Sequence, residues 1–126
     1  HLLMVIACLV MEQPSGRDSE SIREERVKIL KMIRPLIPSD VVRGQFRGYR
    51  REDGVAPESQ VETFAALRLY IDSERWAGVP FYVRTGKCLP VTATEVLVEF
   101  KRPCCPVFDE IEPPLPNYFR FRLSPT

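Results

Sequence analysis

Histidine is scarce in this 126-residue chain, with His1 the single example, and that shortage excludes most metal chemistry. Structural zinc sites draw on histidine and on closely paired cysteines. The four cysteines, Cys8, Cys88, Cys104 and Cys105, form no Cys-x-x-Cys, so no metal site is expected. Thiols spaced this way suit a reducing, cytoplasmic setting. Charge of one sign is lacking as well. A formal net charge of +1 provides no field to draw the chain to nucleic acid or to an anionic membrane. The longest apolar run, Leu2 to Met11, is too short to span a bilayer. It also lacks the basic leader and small-residue cleavage site of a signal peptide. No glycine-rich turn links a strand to a helix, so no dinucleotide-binding fold is expected within these residues.

What is present is ordinary globular material. Hydrophobic residues make up 44% and charged residues 28%, and a chain of this size buries roughly two-thirds of its unfolded surface. The sequence opens on histidine in the middle of an apolar pattern, so it reads as part of something longer.

The pattern then organises into helices followed by strands. His1 to Met11 is apolar on nearly every face, which suits a helix packed against partners. Pro14-Ser15-Gly16 breaks it. A second helix is expected from Asp18-Ser19-Glu20-Ser21 to Pro35, with Ser21-x-x-Glu24 as a capping box. Val27, Ile29, Leu30 and Ile33 give that helix an apolar stripe, and Glu24 with Lys28 forms an i,i+4 pair. From there the period becomes two, predicting strands over Val41–Tyr49, Thr63–Ile71, Pro80–Arg84, Thr94–Phe100 and Asn117–Leu123. Pro103 to Pro116 is expected to be a loop. Strands joined this closely favour antiparallel pairing. The expected fold is α+β: a partial, mainly antiparallel sheet with two N-terminal helices packed on one face.

Few residues carry chemistry. Histidine is the side chain whose ordinary pKa lies near neutrality, so His1 is the natural general base. Taken alone, a terminal histidine reads more readily as a tag remnant or a frayed end. Arg75 to Pro90 reads as a buried strand ending in a glycine turn that exposes Lys87. Its ammonium, a point charge with three donors, suits an anionic, oxygen-rich small molecule. A solvated hairpin lysine is the plainer alternative. Arg43, Arg47, Arg50 and Arg51 lack interleaved aromatics and read as a solvated or partner-facing edge. Trp76 reads as a packing anchor, and Asp72 and Glu74 as turn acids.

Several short motifs then occur in order. They are His1-Leu2-Leu3 with Met11-Glu12-x-Pro14, Val42-Arg43-Gly44-Gln45-Phe46 with Gly48-Tyr49, and Gly54-Val55-Ala56-Pro57-Glu58-Ser59. Glu62-Thr63-Phe64-Ala65-Ala66-Leu67 follows, then Glu74 to Phe81 and Arg84-Thr85-Gly86-Lys87. Taken together the chain resembles glucose-6-phosphate dehydrogenase, the bacterial branch most closely. The resemblance runs nearly end to end, but it covers only the first part of that family's C-terminal α+β domain.

The resemblance implies an oxidoreductase of the oxidative pentose phosphate pathway, transferring hydride from C1 of glucose 6-phosphate to NADP. It places His1 on the family's catalytic histidine and Lys87 on its substrate-binding lysine. It also implies a cytoplasmic homo-oligomer, a dimer built through the sheet. The family's NADP-binding Rossmann domain, its Arg-Ile-Asp-His-Tyr substrate motif and the aspartate preceding the catalytic histidine are not in this sequence. Thr92 stands where some members carry a second basic residue. Members that hold an additional structural NADP use basic residues that are mostly absent here, although Arg84 matches one such position, so no NADP site is expected in this chain. Residues 1–126 are therefore expected to be a partial substrate and dimerisation domain, inactive alone. The alternatives are a non-catalytic dimerisation module derived from that domain, or a remnant that binds the phosphosugar without turnover.

Overall fold

A computed structural model describes residues 1–102 and 116–124, which fall into two compact units divided after Cys88. The first unit holds two helices, α1 (Leu2–Val10) and α2 (Ser19–Met32), and a three-stranded sheet. Its strands are β1 (Val41–Gly44), β2 (Phe64–Leu69) and β3 (Phe81–Gly86). The second unit holds a two-stranded ribbon of β4 (Thr94–Glu99) and β5 (Tyr118–Ser124). Every strand pairing is antiparallel. The architecture is thus the α+β arrangement expected, with its strands divided between two sheets. The expected proline-rich loop lies, apart from Pro116, outside the described residues.

The period-two pattern of β2 decides which face the helices cover. Leu67 and Leu69 share a face, and register places Val83 and Phe81 beside them on β3. Ile6, Ala7 and Val10 of α1 and Ile29 of α2 close over this face, burying Leu69 and Ile71, with Leu30, Ile33 and Trp76 packed against the cluster. Burial of such aliphatic side chains contributes roughly 1.5–3 kcal/mol each. The other face, with Val42 and Tyr82, is exposed. α1 buries one side only: Leu3, Met4 and Leu9 are exposed, where an all-round apolar helix was expected to be covered.

Three local expectations are corrected. The cap of α2 is Asp18 and not a Ser21–Glu24 box. The Asp18 carboxylate accepts the amides of Glu20 and Ser21 at 3.1 and 2.9 Å and the Ser21 hydroxyl at 2.6 Å. Gly16 leaves room for it, since a Cβ there would lie 2.5 Å from the Asp18 carboxylate. Lys28 pairs with Glu25 at i,i+3 and not with Glu24 at i,i+4, although both spacings place an acid on its face of the helix. The expected strand from Val41 to Tyr49 stops at Gly44, since Gln45 leaves the ladder to bond the loop opposite and Tyr49–Arg51 forms a 3-10 turn.

α2 ends where Pro35 requires, with Ile33 and Arg34 extended away from the helix. That extension forms a bridge from Ile33 to Ile71, and the Arg34 amide donates to the Tyr70 carbonyl at 3.0 Å. The helix is thereby fastened to the far end of β2. In the second unit, Val96 and Val98 lie opposite Phe121 and Phe119, forming one apolar face. Glu95 pairs with Arg122 on the other face at 3.4 Å.

Candidate functional site

His1 stands at the N-cap of α1, exposed, and its carbonyl accepts the amides of Met4 and Val5, both at 3.1 Å. Its place depends on α1, which is fixed mainly at its opposite end. There the indole Nε1 of Trp76 donates to the Val10 carbonyl at 2.9 Å, and Arg75 pairs with Glu12 at 2.8 Å. A terminal helix carbonyl has no partner within the helix, and the indole supplies one.

Lys87 directly follows β3 and is exposed. The expected glycine turn takes a different form. Gly86 remains in the ladder opposite Phe64, and the left-handed residue is Cys88, with φ 53°. β3 is also half-buried in alternation and not buried throughout. Lys87 is therefore a strand-end residue placed just before a sharp change of direction. Trp76 packs edge-on against Phe81 at 5.4 Å, at the start of β3. His1 and Lys87 thus occupy the ends of α1 and β3 that are remote from Trp76. No hydrogen bond or ion pair links their side chains among the described residues.

Sequence reasoning missed the network that holds the end of the sheet beside Lys87. The Lys87 amide donates to the Thr63 carbonyl at 2.8 Å, and the Thr63 amide donates to Gly44 at 2.9 Å. The Phe46 amide donates to the Thr63 hydroxyl at 2.9 Å. Gln45 Nε2 donates to the carbonyls of Ser59 and Val61 at 2.8 and 2.9 Å, while its Oε1 accepts Arg50 Nε at 3.2 Å. Gln45 and Thr63 both lie inside ordered motifs, but nothing in the spacing says that they meet.

Several other charged residues pair with one another. Arg68 forks onto Asp40 at 2.7 and 2.9 Å, and that hydrogen bond above all raises its pKa from the ordinary arginine value. Arg34 pairs with Asp72 at 2.6 Å, giving that turn acid its partner. Arg43 reaches Glu62 at 4.0 Å. Cys8 and Cys88 are free and exposed, and no cluster of potential metal ligands occurs among the described residues. No described helix is long and apolar enough to cross a membrane.

A dinucleotide phosphate does not fit α2. The amides that such a phosphate would take at the helix start are already bound to the Asp18 carboxylate.

The family model for the C-terminal domain of glucose-6-phosphate dehydrogenase matches residues 1–126. The chain belongs to that family. A glucose-6-phosphate 1-dehydrogenase of Chlamydia muridarum is 43% identical over 125 residues, covering 91% of this chain and 25% of the relative. The crystal structure of glucose-6-phosphate 1-dehydrogenase from Mycobacterium avium superposes with a TM-score of 0.92 at 40% identity. It covers 99% of this chain and 28% of its own. A glucose-6-phosphate dehydrogenase in complex with its substrate glucose 6-phosphate superposes at 0.86 with 36% identity, over 99% of this chain and 27% of its own. The chain therefore spans about a quarter of the length of the relatives it matches.

Proposed function

We propose that the chain is the substrate-facing part of an NADP-dependent glucose-6-phosphate 1-dehydrogenase and is inactive without the rest of the enzyme. The observation that carries this reading is the family match over the whole chain, with the motif residues in order. His1 takes the role of general base, removing the proton of the C1 hydroxyl so that the carbon can release hydride. Lys87 holds the phosphosugar by its positive charge. The nicotinamide supplies the hydride acceptor when bound, and its site lies outside these residues. The product is then the phosphogluconolactone of the oxidative pentose phosphate pathway, formed in the cytoplasm.

NADPH formation from glucose 6-phosphate tests the reading twice. The isolated chain should show none, and robust turnover by it would overturn inactivity alone. The same chain, substituted for the matched segment of the Mycobacterium avium enzyme, should restore turnover.

A second reading is a homo-oligomerisation module. It is favoured by β5, exposed along its whole length, with Phe119, Phe121 and Leu123 on it and Leu97 on β4. Two-stranded ribbons are marginal alone, and exposed strand edges invite pairing. Light scattering of the isolated chain separates the readings, because a well-behaved monomer removes the second.

A further inference from the structure

We infer that Thr63 is a positioning residue for Lys87, an inference that rests on the proposed substrate role of that lysine. Lys87 lies past the last rung of the β2–β3 ladder, where Gly86 faces Phe64. Cys88 then turns in the left-handed region, so the strand gives the lysine no further support on that side. One backbone bond remains, from the Lys87 amide to the Thr63 carbonyl at 2.8 Å.

Thr63 is itself outside β2, and its position is set by two other contacts. Its amide donates to the Gly44 carbonyl at 2.9 Å, which continues the β1–β2 pairing by one bond. Its hydroxyl accepts the Phe46 amide at 2.9 Å, which ties down the start of the loop crossing from β1 to β2. Phe46 packs edge-on against Tyr49 at 5.5 Å, so this contact also fixes an aromatic pair. The hydroxyl and the carbonyl of one residue therefore join the β1 loop to the base of Lys87. Loosening the hydroxyl contact frees Phe46 and leaves Thr63, whose carbonyl anchors the lysine, held at this end by its amide bond to Gly44.

Thr63→Val isolates this role, because it keeps the β-branched shape and the backbone groups while removing the acceptor. Thr63→Ser keeps the acceptor. Amide hydrogen exchange of the chain, followed by NMR, and a glucose 6-phosphate titration of the same chain substituted into the Mycobacterium avium enzyme provide the readouts. In Thr63→Val the Phe46 amide should exchange about tenfold faster, the change expected for one lost hydrogen bond. The Lys87 amide, whose own bond to the residue 63 carbonyl is kept, should exchange faster by a smaller factor. The Val83 amide and the Trp76 indole should stay unchanged. Thr63→Ser should restore slow exchange, and Thr63→Val should weaken glucose 6-phosphate binding several-fold. Unchanged Lys87 exchange in Thr63→Val overturns the inference. If Thr63→Val does not fold, the wild-type chain still decides: the Lys87 and Phe46 amides must open as one unit, and independent opening overturns the coupling. Lys87→Met separates the two claims. If it abolishes binding while Thr63→Val binds normally, the lysine's role stands and the positioning role falls. If the substituted enzyme binds glucose 6-phosphate equally with Lys87 and with Lys87→Met, the substrate role falls and takes this inference with it.

Discussion

The indole nitrogen of Trp76 donates to the backbone carbonyl of Val10 across 2.9 Å, joining the end of α1 to the connection between β2 and β3. The ring also packs on Phe81. One side chain thus positions both elements whose other ends present His1 and Lys87. Trp76→Ala should destabilise the chain by about 3 kcal/mol, toward the low end for an aromatic truncation because the ring is half-buried. Trp76→Phe keeps the ring contact but leaves the Val10 carbonyl unpaired, costing about 1–2 kcal/mol. Urea unfolding followed by circular dichroism measures both, and equal stabilities for all three proteins would contradict this role.

Gly78 closes the turn between Trp76 and Val79 with φ 75°, and the Val79 amide donates to the Trp76 carbonyl at 3.0 Å. An added Cβ would meet nothing within 4 Å. Gly78→Ala should therefore cost about 1–2 kcal/mol through the backbone alone. A lower urea midpoint with unaltered slope, the product of midpoint shift and slope giving that cost, is the expected result.

Asp18 makes the stability of α2 dependent on pH. The Ser21 hydroxyl first, then the Ser21 amide, hold its carboxyl below the ordinary aspartate range. A depressed folded-state value stabilises the fold above the unfolded-state pKa of about 3.9, and the gain disappears as pH falls through the lower folded-state value. Asp18→Ala should therefore lower the melting temperature at about pH 7, and the gap from wild type should narrow markedly by about pH 2.5. A gap that stays constant across that range would mean that the cap does not act through its charge.

The fold was largely legible because two periods dominate the sequence. Alternation over Ala65, Leu67, Leu69 and Ile71 identified the covered face of β2, and Pro35 marked the end of α2 correctly. Local hydrogen-bond choices were not legible. Asp18 and Ser21 are both good caps in sequence, and only the space left by Gly16 favours the aspartate. Likewise, apolar alternation continuing past Gly44 hid the departure of Gln45, whose amide finds carbonyls 14 and 16 residues away. At the candidate site, His1 and Lys87 were visible through residue type and family resemblance. Thr63 was not, because its role rests on contacts to Gly44, Phe46 and Lys87, three separate parts of the chain.

The proposed catalytic role of His1 is tested most directly by the turnover of the restored enzyme. In the chain substituted into the Mycobacterium avium enzyme, His1→Asn should reduce kcat for NADPH formation by about 10²–10⁴-fold, the usual contribution of a positioned general base. Binding of glucose 6-phosphate should be little changed. Turnover equal to that of the His1 protein would contradict the account.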